Sequence, residues 1–321
     1  MNEPQDHQVQ ENALTLRTSD NVPSSPASTD TGIEGLELEP GEFLVAVDKP
    51  GAQLWMMVVI FGLICVTLPL AIWLFMRTGK YYVVTNRRSI RVARNGEIQS
   101  LAHEDLEEIE IQDMIPFPSF GNPTFPDTLK LVPTPDSGAS PLVFATCSRF
   151  MDDGFTRLWG ALHYWVRHPK MNIDDAPAVN ADGELVDTEL GMDVILIPKT
   201  DYGIGGTKGV LILTDTWMRL IQESTDEQKV VRADFPAYSY LHSLARRSNG
   251  IDDFLQRVDQ GVQEELMIQH VQSRWSELEK VKMSMGSITA KDRVSGSRLI
   301  LGVPKPHRDT VKEHMEKLGV L

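Results

Sequence analysis

The chain has 321 residues, which at about 100–200 residues per domain allows two domains plus tails. Its 31 Lys+Arg against 45 Asp+Glu give a formal net charge of -14, which excludes a general nucleic-acid binder. Two cysteines, Cys65 and Cys147, exclude a disulfide framework and a cysteine-rich zinc module, and 41% apolar residues exclude a wholly disordered chain.

Residues 1–38 are polar and acidic, with Pro23 and Pro26 around Ser24-Ser25 and almost no aromatic residue. Such a segment buries too little surface to offset its ordering entropy and reads as a disordered tail. Residues 39–53 form a lead-in. Leu54 to Met76 then runs for about 23 positions without a charge, with Trp55 at one end and Trp73 near the other. As a helix it is about 34 Å long, against a hydrocarbon core of about 30 Å. It predicts a transmembrane helix, bent by Pro69. Residues 1–53 carry Arg17 and Lys49 against about ten acids, whereas 77–100 carry Arg77, Lys80, Arg87, Arg88, Arg91 and Arg94 against Glu97. A single crossing then places the carboxyl-terminal bulk in the cytoplasm. A re-entrant hairpin bent at Pro69 is the other arrangement this length allows.

Past the apolar segment the period becomes that of strands. Tyr81–Thr85, Ser89–Ala93, Ile98–Ala102, Leu106–Ile111, Leu129–Val132 and Leu142–Ala145 are predicted strands, and Asn95-Gly96 and Pro135–Gly138 are turns. An amphipathic helix over 149–167 closes this run, capped by Ser148 with Asp152 and Asp153 in its first turn. Residues 169–190 read as an acidic linker. Strands resume at Val194–Ile197, Val210–Leu213, Met218–Ile221 and Lys229–Val231. A long helix is predicted over 251–285 from Phe254, Leu255, Val258, Val262, Leu266, Trp275, Leu278 and Val281. Leu299–Val303 is a last strand, and Val311, Met315 and Leu318 mark a last helix.

Tyr81 to Ile111, YYVVTNRRSIRVARNGEIQSLAHEDLEEIEI, resembles the bacterial pleckstrin-homology-like (PH-like) family of membrane-anchored proteins. So do the lead-in Glu39-Pro40-Gly41-Glu42-Phe43-Leu44 and the Phe120-Gly121-Asn122 loop. The resemblance covers about residues 39–168. It implies an antiparallel β-sandwich or barrel closed by a carboxyl-terminal helix. The family commonly places two membrane helices between lead-in and first sheet strand, where this chain has one apolar stretch. Val210-Leu211-Ile212-Leu213-Thr214-Asp215 echoes Tyr82-Val83-Val84-Thr85-Asn86, and 298–318 echoes 141–167. Residues 191–321 are therefore either a second PH-like repeat with a helical insertion at 251–285 or an unrelated α+β module.

Chemistry is sparse. Gly203–Gly209 precedes a strand and not a helix, so it lacks the geometry of a phosphate cradle. His163 and His168 lie five apart, which sets them on different helix faces, and no metal or cofactor is expected. No nucleophile stands at a recognisable spacing from a base, and no catalytic residue is assigned. The one candidate binding set is Lys80, Arg87, Arg88, Arg91 and Arg94, facing anionic lipid headgroups. The expected protein is a non-enzymatic binding or scaffold module of the bacterial inner membrane. A protein partner or a second copy is expected on 251–285, whose length exceeds what a small sheet covers. Its alternatives are a non-catalytic subunit of a membrane complex and an enzyme with its site in the second domain.

Overall fold

A computed structural model describes residues 31–50, 78–112, 128–145, 154–186, 189–203, 208–223 and 235–321. The chain is mainly antiparallel β-sheet with a few helices. Residues 1–30, the apolar stretch 54–76, the Phe120-Gly121-Asn122 loop and the Lys229–Val231 strand lie outside the described residues. Among the described residues no helix is long and apolar enough to cross a membrane.

The first unit has two sheets. Strands β1 (Leu44–Asp48), β2 (Tyr81–Thr85), β3 (Arg88–Val92) and β4 (Ile98–Ala102) lie side by side in that order. Strands β5 (Leu106–Gln112), β6 (Thr128–Pro133) and β7 (Leu142–Ala145) form the other sheet. Helix α1 (Gly154–Gly160), continued by wider π-type turns over Ala161–Arg167, packs on them. The period-two alternation of strands decides which side chains meet. Tyr82 and Val84 point inward and join Leu101, Leu106, Leu129, Leu131, Phe144, Leu158 and Leu162 in one core. The Tyr82 ring lies 5.1 Å from that of Phe144, and its hydroxyl donates to the Ala145 carbonyl at 2.8 Å.

Tyr81 and Val83 point the other way, yet they too are buried. Ile33 and Leu36 from one side, and Val179 from the other, cover that face. Two expectations are corrected here. Residues 31–38 are a packed cover and not part of a disordered tail, because Ile33 and Leu36 supply the apolar surface that the polar composition conceals. Likewise 169–186 is a strap and not a free linker. The Val179 amide donates to the Leu44 carbonyl at 2.9 Å, Val179 bridges Leu185, and Asn86 Nδ2 donates to Asp174 Oδ1 at 2.9 Å. Gly183, at φ +77°, sits where a Cβ would come within 2.9 Å of the Val47 carbonyl, so the strap crosses β1 at a glycine.

The second unit carries β8 (Ile195–Tyr202), β9 (Lys208–Leu213), β10 (Trp217–Glu223), β11 (Met267–Arg274), β12 (Leu278–Ser284), β13 (Ser287–Asp292) and β14 (Arg298–Gly302). Helices α2 (Phe235–Arg247) and α3 (Ile251–Gln263) stand between β10 and β11, and α4 (Arg308–Lys317) closes the unit. Its sheet order is β11-β10-β9-β8-β14-β13-β12. Counted within each unit, both run fourth, third, second, first on one side and fifth, sixth, seventh on the other. In the second unit the first and seventh strands also pair, at Leu301↔Tyr202 and Gly302↔Asp201.

The likeness extends to local chemistry. The Thr85 hydroxyl oxygen accepts from the amides of Arg87 and Arg88 at 3.1 and 3.0 Å, turning β2 into β3. The Thr214 hydroxyl oxygen accepts from Thr216 and Trp217 at 3.3 and 2.9 Å, turning β9 into β10. A 3-10 turn, His103–Asp105, leads into buried Leu106, and another, Trp275–Glu277, leads into buried Leu278.

This corrects the helix expected over 251–285. The helix ends at Gln263, and 267–284 are two strands around that turn. Val271, Ser273 and Trp275 face inward at period two. The Trp275, Leu278, Val281 spacing matches a helix only because the 3-10 turn and a register irregularity between Glu279 and Lys282 shift the strand phase. The helical insertion begins earlier, at Phe235, and has two helices.

The insertion joins the units. Leu241, Ala245, Phe254 and Val258 are buried in the same cluster as Val210, Ile212 and Ile221, the residues of β9 and β10 that face away from the second unit's own core. Leu211, Leu213, Met218 and Leu220 face into that core with Val311 and Met315 of α4. On its other side α2 meets α1. Trp165 Nε1 donates to Ser239 Oγ at 3.1 Å, and the Tyr164 and Tyr240 rings meet edge to face at 5.7 Å. Within 251–263 the apolar face is covered by the chain itself.

Candidate membrane-facing site

The five candidate bases fall at two ends of the first sheet. Asp48 pairs with Tyr82, Tyr81 with Val92, and Val92 with Ile98. The end of β1, the start of β2 and the β3–β4 turn therefore share one edge. Lys80 and Arg94 lie there. Arg87 and Arg88 lie at the opposite edge, about 16 Å away at roughly 3.3 Å per strand residue.

At that opposite edge the lead-in and the β2–β3 turn lock together. Glu42, whose side chain is fully buried, receives the Thr85 hydroxyl at 2.7 Å and Arg88 Nε at 2.9 Å on one oxygen. Its other oxygen receives Arg88 Nη2 at 3.0 Å and the Glu39 amide at 2.9 Å. Burial pushes this carboxyl up, but the hydrogen bonds from Arg88, Glu39 and Thr85 outweigh it and hold it below the ordinary carboxylate range. Asn86 Oδ1 accepts from the Phe43 amide at 3.0 Å, and Arg87 pairs with Glu39 at 3.0 Å. The Glu-Pro-Gly-Glu lead-in and the Thr-Asn-Arg-Arg turn are thus two halves of one latch. Arg88 has its donors on Glu42 and the Glu37 carbonyl, and the exposed Arg87 donates to Glu39 and the Pro40 carbonyl.

Arg91 donates to Gln99 at 3.2 Å across β3 and β4. Lys80 meets Glu34 at 2.6 Å and lies 5.9 Å from the centre of the Tyr81 ring. Lys49 lies 5.5 Å from the same ring. The two lysines that bracket the apolar stretch in sequence therefore stand over one side chain. Arg94 is exposed in the neighbouring turn, which Ala93 and Glu97 close through a 2.8 Å hydrogen bond. Exposed Ile98 follows it at the same edge. Sequence reasoning omitted Lys49 because it stood alone among acids before the apolar stretch; only the β1–β2 pairing brings it to Lys80.

The catalytic and metal expectations can be placed as well. Ser89 Oγ lies 3.3 Å from His103 Nε2, the spacing of a nucleophile and base. Ser89 is 1% exposed, however, and burial lowers His103 to about 4, with the Glu42 charge opposing that shift. A neutral imidazole beside a buried hydroxyl fits a packing role. The His163 ring stacks on Trp159 at 5.0 Å, while His168 lies against Tyr164. Among the described residues no group of three His, Cys, Asp or Glu side chains stands where it could hold a metal. In comparison with known proteins the chain matches no family model, and the comparison with curated proteins likewise gives no match.

Proposed function

We propose that this chain is a non-catalytic binding or scaffold protein held on an anionic membrane surface by residues 54–76. The observation that carries the reading is the β1–β2 pairing. Leu44–Asp48 precedes the apolar stretch and Tyr81–Thr85 follows it, and the two are adjacent strands. A single crossing would put them on opposite sides of the bilayer. The pairing therefore favours the re-entrant arrangement over the single crossing. Bent at Pro69, such a hairpin would have arms of about 22 and 10 Å, neither long enough to cross the ~30 Å hydrocarbon core. An anchor of that kind needs a second signal, which basic residues beside it supply.

Lys80 and Arg94, two of the five candidate bases, lie beside the apolar stretch, and Lys49 joins them there. Each contributes about 1 kcal/mol near an anionic surface. Ile98 adds an apolar side chain at the same edge. The shared strand order, the matching threonine turns and the closing helices support reading both units as PH-like domains in tandem. The bacterial inner membrane is the location the resemblance implies, and the excess of bases over residues 77–100 favours its cytoplasmic side for both units.

Topology mapping tests this. Cysteines at Ser25 and Ser248, in a chain lacking Cys65 and Cys147, should both escape an impermeant thiol label in intact cells and both react after permeabilisation. Labelling of position 25 alone in intact cells would restore the single crossing and overturn the proposal.

A further inference from the structure

Where the two units meet, a cleft of about 200 Å³ opens between the strap, α1, α2 and α3. That is the liquid volume of about seven waters at about 30 Å³ each. Trp165 and Tyr240 supply aromatic wall, and Lys170, Arg247 and Arg257 supply charge. Three bases thus gather in one cleft of a chain whose net charge is -14. The lining acids are Asp175 and Glu264.

These acids orient the bases. Arg247 Nη1 meets Asp175 at 2.5 Å and its Nε donates to the Ser243 carbonyl at 3.3 Å. Lys170 lies 3.6 Å from the Glu264 carboxylate. Arg257 is held from outside the cleft, its Nε on Asp253 at 3.0 Å, and its two Nη groups have no protein partner among the described residues. The acids therefore fix the walls and leave guanidinium donors over. Charge-assisted pairs of this kind suit planar carboxylates and phosphates.

Tyr240 adds a donor. Its ring is mostly buried and lines the cleft, and its solvent-accessible hydroxyl can donate to a bound group there. Burial raises its pKa, so it remains a donor at neutral pH. Arg247, Arg257 and Glu264 line the same cleft as that phenol. Gly261 of α3 lies beside this residue: a Cβ there would be in ordinary contact, at 3.5 Å, with the Tyr240 ring and hydroxyl.

We infer that this cleft binds a small organic oxyanion, a carboxylate or a phosphate monoester, on Arg247, Arg257, Lys170 and the Tyr240 hydroxyl. The inference is independent of the membrane reading. Because the ligand touches the strap and both inserted helices, it also clamps the two units together.

Titration calorimetry on the full chain with succinate, inorganic phosphate and glycerol 3-phosphate tests it. Saturable binding of at least one is expected, with a raised Tm. Stronger binding of succinate assigns a carboxylate ligand, and stronger binding of glycerol 3-phosphate assigns a phosphate monoester. Arg257→Gln should weaken the affinity about tenfold or more, the loss of a charge-assisted hydrogen bond. Tyr240→Phe, which keeps the ring and its packing, should weaken it by several-fold and covers the case that Arg257→Gln does not fold. Absence of saturable binding by all three probes overturns the proposal, as does unchanged affinity in the folded variants.

Discussion

Replacing Glu42 by Ala removes the centre of the latch between the lead-in and the β2–β3 turn. The carboxylate takes four hydrogen bonds, from Thr85, the Glu39 amide and two nitrogens of Arg88. Thr85 loses little, because its hydroxyl already has the Arg88 carbonyl at 3.0 Å. The cost falls on Arg88 and the Glu39 amide. Removing one partner of a buried ion pair costs about 3–5 kcal/mol. The Arg88 side chain is 25% exposed and keeps the Glu37 carbonyl at 3.1 Å, so the lower end, about 3 kcal/mol, applies. At about 2–4 °C per kcal/mol the Tm should fall by about 6–12 °C. Urea unfolding of Glu42→Ala, Arg88→Met and the double variant measures the coupling, expected at about 1–3 kcal/mol. Limited proteolysis should then cut within 31–43 in Glu42→Ala before it cuts elsewhere in the first unit. A loss below about 1 kcal/mol with additive single effects would refute the latch.

Other outcomes follow from burial and close contact. His103 is held near 4, below the ordinary 6.5, so the unfolded chain takes up its proton first. The associated stability is complete above about pH 6.5 and is lost as pH falls toward 4, about 3 kcal/mol in all. His103→Gln should flatten the pH dependence of urea unfolding across that window, and an unchanged slope would sink the assignment. Glu42, with its lowered pKa, acts in a separate window: its contribution is present above the ordinary carboxylate value and disappears at more acid pH. Gly209→Ala places a methyl 2.5 Å from the Ile221 carbonyl, a backbone atom that cannot turn aside. It should cost about 1–3 kcal/mol by thermal unfolding.

Much of the strand pattern was open to inspection in the sequence. The short β-branched, aromatic and apolar runs at 81–85, 98–102, 129–132, 210–213 and 299–302 are strands, because the preference of such residues for a pleated backbone is a local property. The Thr-Asn-Arg-Arg turn was visible for the same reason: Thr85 makes its hydrogen bonds two and three residues away. The repeat showed through Val210–Asp215, yet its best local marker, the 3-10 turn ahead of Leu106 and Leu278, was hidden. One copy reads His103-Glu104-Asp105 and the other Trp275-Ser276-Glu277, and the second falls within an apolar spacing that imitates a helix.

Long-range pairing decided the rest. Nothing local shows that Arg87 meets Glu39 or that Lys80 meets Glu34, since those acids lie about fifty residues earlier in the chain. The composition of 31–38 and 169–186 is polar, but a few apolar side chains in each suffice to cover β2, whose outward face would otherwise stand in water. Lys49 and Lys80 meet over Tyr81 because β1 pairs with β2 across the apolar stretch, and the cleft at Tyr240 exists because two inserted helices pack on α1. The sequence by itself determined where the chain alternates, turns and becomes apolar, each a matter of neighbouring residues. The tertiary structure alone decided which charges pair with one another and which side chains share an edge, because that depends on contacts between residues far apart in the chain.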